Sequence, residues 1–162
     1  VDGADDLDSF GVASNIAAVA KNGGYDIILL GKETISYNGS NIGGMLAELL
    51  DQPFVSLATK LEVSGNTATV SREIEGGKET LQVNTPFVLS AAKGMAEQRI
   101  PNMKGIMSAK SKPLNVVPAV STPAYTTVVK YELPPAKAAV KLVSPDNVEE
   151  LITLLHNEAK AI

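Results

Sequence analysis

The stretch Asp26-Ile27-Ile28-Leu29-Leu30 carries the strongest indication of the fold class. It is a short, continuous apolar run rich in β-branched residues, and such a run predicts a strand buried on both faces of a parallel sheet. A helix precedes it, because Asp8 or Ser9 can cap a helix that Asn22-Gly23-Gly24 then ends. The sequence therefore predicts a helix that is followed directly by a buried strand.

That helix and a second one after the strand each carry an apolar stripe. Positions i, i+4 and i+7 predict the core-facing side of the first helix, namely Val12, Ile16 and Val19. The second stripe ends before Pro53 and consists of Ile42, Met45, Leu46, Leu49 and Leu50. The series of helix, strand, loop and helix is typical of an α/β domain.

The middle of the chain has the composition of antiparallel hairpins. Residues 54–63 and 68–74 alternate loosely and are joined by Ser64-Gly65-Asn66-Thr67, a turn by composition. A second tight turn is predicted at Glu75-Gly76-Gly77-Lys78, since its glycines tolerate positive φ. With the strand Phe87-Val88-Leu89, these segments predict an antiparallel hairpin system attached to the parallel sheet.

Proline dominates the C-terminal part of the chain. Residues 113–145 hold six of the nine prolines, and proline blocks helix interiors. We predict a short helix over residues 102–110 and then an extended arm with one strand near residues 126–132. A last helix follows, with Ser144 as its cap and Pro145 in its first turn. A long proline-rich arm is unusual inside one compact domain, which indicates packing against another chain.

The composition excludes several classes of function. The chain has 162 residues and a net charge of −4, whereas a nucleic-acid-binding domain normally carries a basic face. Without cysteine it forms neither a disulfide nor a thiolate metal site, and a single histidine argues against a histidine-based zinc centre. No apolar run reaches the roughly 18 residues of a membrane span. We therefore expect a soluble protein of the cytoplasm or of an organelle matrix, without direct membrane insertion.

The loop between the first strand and the second helix is the first candidate for chemistry. Residues 31–41 join the carboxyl end of a strand to a helix N-terminus, where open α/β sheets bind their ligands. Free N–H groups and the helix dipole favour a phosphate there, and Ser40 and Asn41 add side-chain donors. The loop lacks the Gly-Lys-Ser/Thr of a Walker motif. A phosphate or nucleotide site and an ordinary capped connection both remain open.

Two further features have alternative interpretations. Arg72 shares the apolar side of its predicted strand, so it either faces a carboxylate or phosphate inside, or returns to water at a bulge or edge. Residues 92–112 hold three of the four methionines among interleaved lysines. That pattern suits either an adaptable surface for an acidic partner or a half-buried surface helix with a basic rim.

Longer motifs resemble a known family. The signature of the electron transfer flavoprotein β subunit is similar to Val70-Ser71-Arg72-Glu73-Ile74-Glu75-Gly76-Gly77-Lys78-Glu79-Thr80-Leu81 followed by Pro86-Phe87-Val88-Leu89-Ser90. Residues 26–50, 99–113 and 139–144 resemble the same family in the same order. The resemblance implies a Rossmann-like three-layer α/β sheet, similar to the adenine nucleotide alpha hydrolases, with an antiparallel hairpin extension and a C-terminal arm.

The resemblance also implies a function in electron transfer. In the family, a larger α subunit holds most contacts to a redox-active FAD, and the β subunit shields and supports it. The heterodimer takes electrons from acyl-CoA dehydrogenases and related dehydrogenases and passes them to the electron transfer flavoprotein–quinone oxidoreductase. Many β subunits also bind AMP, and electron-bifurcating relatives hold a second FAD there. The chain is thus expected to be an electron carrier of fatty acid oxidation rather than an enzyme.

Site residues follow from the same resemblance, which implies neither a catalytic nor a metal-binding residue. The segment expected to contact the nucleotide is Gly31, Lys32, Glu33, Thr34, Ile35, Ser36, Tyr37, Asn38, Gly39, Ser40, Asn41 and Ile42. The partner-docking loop corresponds to residues 95–108, with Met103 at the position of the apolar anchor. Its expected contacts are Met95, Arg99, Met103, Ile106 and Met107.

Two departures from the family pattern stand out. Family members commonly show Gln-Thr-Gly where this chain has Asn41-Ile42-Gly43, so an apolar side chain replaces a hydroxyl donor. The family's N-terminal strand–helix segment has no counterpart in this sequence, and one of its strands would lie beside residues 27–30. We therefore expect residues 1–116 to be an incomplete nucleotide-binding domain and residues 117–162 to be an arm and helix that pack on the partner subunit.

A nucleotide-hydrolysing or adenylating enzyme of a related α/β fold is the alternative function. Such an enzyme needs a basic residue to grip phosphate and a metal-binding carboxylate at the loop. Only Lys32 and Glu33 offer these groups, and they follow no known catalytic spacing.

Overall fold

The computed structural model describes residues 1–3, 6–137 and 139–162. The chain divides into two compact units, Val1–Val128 and Val129–Ile162. In the described part of the chain, every helix is too short or too polar to cross a membrane.

The described residues of the first unit form three helices and five strands, in the order α1 (Ser9–Lys21), β1 (Ile27–Gly31), α2 (Ile42–Leu50), β2 (Phe54–Ser64), β3 (Thr67–Ile74), β4 (Gly77–Asn84), β5 (Phe87–Ala91) and α3 (Met103–Ala109). The second unit contains α4 (Val148–Thr153), which continues into a π-helical segment, Leu154–Glu158.

The five strands form one mixed, open sheet in the order β1-β5-β2-β3-β4. Strands β1, β5 and β2 are parallel neighbours, whereas β2, β3 and β4 are antiparallel. Gly65 and Gly76 occupy the two hairpin turns with φ of 57° and 85°, which glycine adopts without steric cost. The predicted α/β class and its antiparallel hairpin extension are confirmed.

Each face of the sheet carries a core cluster. Helices α1 and α2 pack together on one face, around Ala17, Leu46, Ala47 and Val88. Strand residues form the cluster of the other face, consisting of Val55, Ala58, Ala68, Val70, Phe87 and Leu89. An open sheet with flanking helices is consistent with a Rossmann-like three-layer arrangement.

The prediction that the first strand is buried on both faces is wrong. Among the described residues, β1 pairs with β5 alone and forms an edge of the sheet. The helices cover the face that carries Ile28 and Leu30, while Leu29 on the opposite face is 54% exposed. An apolar run predicts a strand, but it carries no information on which strand becomes an edge.

The predicted cap of α1 is confirmed, and its predicted stripe is confirmed only in part, since Ile16 packs against the core cluster whereas Val19 does not. Asp8 Oδ1 accepts a hydrogen bond from Gly11 N–H over 2.8 Å. The buried face consists of small residues such as Ala13 and Ala17, whereas Val19 is 43% exposed. Because α1 packs directly against α2, small side chains let the two helices approach closely.

The C-terminal predictions are only partly right. The short helix over residues 102–110 is confirmed as α3, but no strand forms within residues 126–132. The last helix begins at Val148 rather than near Ser144, and its cap is Asn147, whose side chain accepts a hydrogen bond from the helix. Alternating apolar residues form a strand only where a neighbour supplies hydrogen bonds.

Side chains of α1 and its cap hold the segment around residues 118–126. Val120 N–H donates to Oδ1 of the buried Asn15 over 2.9 Å, and Tyr125 N–H donates to Asp8 Oδ2 over 2.7 Å. The N–H groups of Gly11 and Tyr125 lower the pKa of Asp8 below its usual value, because they stabilise the ionised carboxylate.

Candidate functional site

Thr34 organises the loop between β1 and α2. Asn38 N–H donates to the Thr34 carbonyl oxygen over 3.0 Å, and Thr34 N–H donates to the Gly39 carbonyl oxygen over 2.9 Å. The Thr34 hydroxyl accepts a third bond from Gly39 N–H over 3.2 Å. Asn38 has a φ of 50°, which asparagine tolerates better than most residues. The loop is thus closed into a tight turn, with Ile35 fully exposed at 100%.

The first turn of α2 presents unpaired backbone N–H groups. Its N-cap is Asn41, whose side chain makes no capping hydrogen bond. Within the described ranges, the N–H groups of Ile42 and Gly43 have no acceptor, as expected at the start of a helix. Such groups, together with the positive end of the helix dipole, favour an anion.

Gly43 determines how closely this turn approaches the sheet. A Cβ at Gly43 would lie 2.8 Å from two ring atoms of Phe54, which starts β2. At neighbouring Gly44 the nearest atom to a Cβ would be 3.8 Å away, an ordinary contact. Only the first of the two glycines is therefore required for the close packing of α2 on β2.

A cavity of about 180 Å³ lies next to the loop and the first turn of α2. It is bounded by α1, the carboxyl ends of β1 and β5, and α2, through Val12, Ile16, Leu30, Gly31, Lys32, Glu33, Thr34, Gly39, Ser40, Ile42, Gly43 and Ser90. Seven of the twelve residues expected to contact the nucleotide line it. Those outside its lining are Ile35, Ser36, Tyr37, Asn38 and Asn41.

The charges at this cavity belong to an ion pair. Lys32 Nζ lies 3.1 Å from Glu33 Oε1, and the two side chains are 46% and 44% exposed. An exposed pair of this kind contributes at most about 1 kcal/mol, so an entering anion can replace Glu33 as the partner of Lys32. Lys32 is the one cation among the residues that line the cavity.

Sequence reasoning missed Ser90, which lines the same cavity. The side chain is buried, at 4% exposure, and lies beside Leu30 in the pairing of β5 with β1. Its hydroxyl accepts a hydrogen bond from Leu57 N–H over 2.9 Å. The signal that could have found it is its position, since Ser90 is the polar residue that follows an apolar run at the carboxyl end of a parallel strand.

Arg72 has the carboxylate partner that one of its two interpretations required. Its Nε donates to Glu79 Oε2 over 2.5 Å, and its Nη1 donates to Ser56 Oγ over 3.1 Å. The side chain is 29% exposed and pairs in register with Ala58, where β2 has a register shift. The arginine is thus half-buried beside an irregularity of the sheet, and its Nε and Nη1 atoms both donate hydrogen bonds there.

The predicted docking loop contains exposed apolar side chains on and around α3. Met103 and Met107 are 72% and 61% exposed, and Ile106 is 44% exposed. Ile100, just before the helix, is 86% exposed, and Arg99 is exposed as well. Met95 differs from these, because it packs against the core cluster of the sheet.

Comparison with known proteins gives the family. Residues 1–122 match the family model described as the electron transfer flavoprotein domain. The chain belongs to this family. The match includes the sheet, the loop of residues 31–41 and residues 95–108, so the resemblance noted in the motifs is confirmed.

Curated relatives of the electron transfer flavoprotein family extend the match. The chain is 34% identical over 172 residues to "Electron transfer flavoprotein subunit beta" of Bacillus subtilis, covering 99% of the chain and 66% of the relative. Subunits of the same name from Syntrophomonas wolfei and Mus musculus are 36% and 33% identical, covering 52% and 60% of their lengths. The chain therefore spans between half and two thirds of the length of these relatives.

Proposed function

We propose that this chain is part of the β subunit of a heterodimeric electron transfer flavoprotein. In this proposal an α subunit holds most contacts to FAD, and the heterodimer accepts electrons from acyl-CoA dehydrogenases and related dehydrogenases. It passes them to an electron transfer flavoprotein–quinone oxidoreductase. The observation that carries the proposal is the family match over residues 1–122, joined to a cavity at the loop where the nucleotide is expected. The chain acts as an electron carrier of fatty acid oxidation, in the bacterial cytoplasm or the mitochondrial matrix.

We propose that the cavity binds a nucleotide, AMP or a second FAD, as a structural cofactor. The unpaired N–H groups of Ile42 and Gly43 and the side chain of Lys32 supply positive or partly positive groups in the lining of the cavity. Val12, Ile16 and Leu30 supply an apolar wall. The apolar side chain of Ile42 replaces the family's hydroxyl donor, so we expect backbone rather than side-chain contacts at that position.

The size of the cavity supports an incomplete site. Small-molecule sites generally enclose about 300–1,000 Å³, and this cavity measures about 180 Å³. We propose that these residues hold one end of the nucleotide and that another segment of the subunit encloses the rest. The free edge of β1 and the exposed side chain of Leu29 support a further strand at this edge, because an unpaired edge strand presents a row of unused hydrogen-bonding groups.

We propose that the docking loop, residues 95–108, contacts the dehydrogenase partners. A few buried apolar residues supply most of the binding energy of an interface, and Met103, Ile106 and Met107 would form such a centre. Ile100 and Arg99 lie next to it in the chain and extend the exposed surface. A small apolar anchor allows fast dissociation, which suits a carrier that must exchange partners.

The alternative enzyme lacks support from the geometry of the loop. Lys32 and Glu33 form an ion pair with each other, at 3.1 Å between Nζ and Oε1. In the described ranges there is also no group of three or more His, Cys, Asp or Glu residues that could hold a metal ion. No observation therefore favours this second function.

Co-expression with an electron transfer flavoprotein α subunit tests the proposal. We expect a stable heterodimer that is yellow from bound FAD, accepts electrons from a reduced acyl-CoA dehydrogenase, and releases AMP or FAD on denaturation. The chain purified without the α subunit is the control and should lack the flavin colour. A chain that forms no complex with the α subunit, or that hydrolyses nucleotides alone, contradicts the proposal.

A further inference from the structure

We propose that the Ser90 hydroxyl is a ligand-binding group that donates a hydrogen bond to a phosphate oxygen of the nucleotide. This inference rests on the proposed nucleotide site and adds to it a residue on β5, outside the loop of residues 31–42. Three observations carry it, which are the unused proton of the Ser90 hydroxyl, the backbone that fixes that hydroxyl, and the other groups that line the cavity.

The Ser90 hydroxyl has a proton to donate and no described acceptor for it. A hydroxyl group carries one proton and two lone pairs, and the bond from Leu57 N–H uses one lone pair. Within residues 1–3, 6–137 and 139–162, no atom accepts a hydrogen bond from Ser90 Oγ. Because Ser90 is 96% buried yet lines the cavity, a bound ligand is the natural acceptor.

The backbone around Leu57 holds this hydroxyl in place. Leu57 has a φ of 58°, in the left-handed region that a leucine rarely adopts. Its side chain is 44% exposed, so apolar burial does not explain the conformation. The residue lies in the register shift of β2 between Val55 and Ala58, and bulges of this kind often redirect groups near functional sites. The consequence here is that the Leu57 N–H group points at Ser90 Oγ.

The surroundings of Ser90 favour an anionic acceptor. The cavity it lines also contains the first turn of α2, at Ile42 and Gly43, and the side chain of Lys32. A phosphate entering there meets the positive end of the helix dipole and a cation, and the Ser90 hydroxyl adds a donor from the sheet side. The volume of about 180 Å³ suits one end of a nucleotide rather than the whole molecule.

Calorimetric titration of the heterodimer that contains the complete β subunit, with AMP, adenosine and inorganic phosphate as ligands, tests the inference. We expect Ser90→Ala to weaken AMP binding by about tenfold or more, since hydrogen bonds to charged groups are worth that much in affinity. Adenosine, which lacks the phosphate, should bind equally to both proteins. Ser90→Thr retains the hydroxyl and should retain most of the affinity for AMP. Inorganic phosphate should compete with AMP in the wild-type chain and compete less well in Ser90→Ala.

Ser56→Ala is the matched control. Ser56 lies in the same irregular stretch of β2 as Leu57, and it does not line the cavity. The substitution removes a hydroxyl that accepts a hydrogen bond from Arg72, so it matches Ser90→Ala in the kind of group that is lost. We expect its affinity for AMP to equal that of the wild type. If Ser90→Ala fails to fold, Ser90→Cys keeps the side-chain size and a weak acceptor for Leu57 N–H, and it should show the same loss for AMP.

The outcomes separate this inference from the function on which it rests. A wild-type chain that binds AMP while Ser90→Ala binds it equally well contradicts the role of Ser90 and leaves the nucleotide site standing. If Ser90→Ala weakened the binding of AMP and of adenosine by the same factor, Ser90 would have a purely structural role, and this result would also contradict the inference. A wild-type heterodimer with the complete β subunit that binds no nucleotide beyond the FAD of the α subunit contradicts the proposed site itself and this inference with it.

Discussion

The close packing of α2 on β2 at Gly43 leads to a quantitative prediction. A methyl group at this position would lie 2.8 Å from two ring atoms of Phe54, and real Cβ contacts are essentially never that short. The ring must therefore move within a cluster that also contains Leu46 and Val88. Overpacking of this kind costs about 1–3 kcal/mol. Replacing a helical glycine by alanine gains about 0.5–1 kcal/mol, so the net loss for Gly43→Ala lies between about 0 and 2.5 kcal/mol.

Gly44→Ala is the matched control for this prediction. Both glycines lie in the first turn of the same helix, but a Cβ at Gly44 would meet Phe54 only at 3.8 Å. Alanine at Gly44 therefore reduces the conformational freedom of the unfolded chain without causing a clash in the folded one. We expect it to raise the free energy of unfolding by up to about 1 kcal/mol. Since both variants share this gain, they should differ by the overpacking cost of about 1–3 kcal/mol, with Gly43→Ala the less stable of the two.

Urea denaturation followed by circular dichroism measures both free energies of unfolding. A third protein, Gly43→Ala with Phe54→Leu, should be more stable than the sum of its two single changes predicts, because the smaller side chain removes the clash. Equal stabilisation by alanine at Gly43 and Gly44 would refute the packing argument. Additive effects in the double variant would refute the assignment of the clash to Phe54.

Three more predictions concern other parts of the chain. Met103→Ala should slow electron acceptance from a reduced dehydrogenase in stopped-flow measurements without lowering the FAD content, and unchanged kinetics would reject Met103 as a docking residue. Arg72→Met should lower the free energy of unfolding by about 1 kcal/mol, because Glu79 loses its partner. Adding Glu79→Gln to this variant should then lower the free energy of unfolding little further. If the second substitution lowered it by as much as it does in the wild type, the two side chains would act independently. Asp8→Asn should lower the melting temperature at pH 7, since the folded-state pKa of Asp8 is lowered from 3.8 and its stabilisation exists above that value. The difference from the wild type should shrink as the pH falls below about 3.8, and a difference that is constant with pH would contradict the role of the carboxylate.

Local signals in the sequence predicted the elements of the first unit well. The cap at Asp8, the glycines of the two hairpin turns and the short helix after Asn102 are all present, because each depends on neighbouring residues. Long-range contacts were harder to foresee. Whether Leu29 is buried depends on what lies beside β1, and whether residues 126–132 form a strand depends on a partner for their backbone. Neither is encoded in apolar spacing.

The candidate site shows the same division between local and long-range information. The loop after β1 was identified from its own residues, because the strand, the turn and the helix N-terminus are contiguous in sequence. Ser90 lies 59 positions after Gly31, and only the parallel pairing of β5 with β1 brings the two ends together. The strained backbone at Leu57, which holds the Ser90 hydroxyl, leaves no mark in the sequence, since leucine is not a residue that favours positive φ.

Native mass spectrometry of the complex with an electron transfer flavoprotein α subunit tests the central claim most directly. The account predicts a heterodimer that carries one FAD and, in addition, one AMP or a second FAD, and that loses the second nucleotide when a bulky side chain replaces Gly43. A complex that carries a single FAD and never a second nucleotide, or a chain that stays alone in the presence of the α subunit, would contradict it.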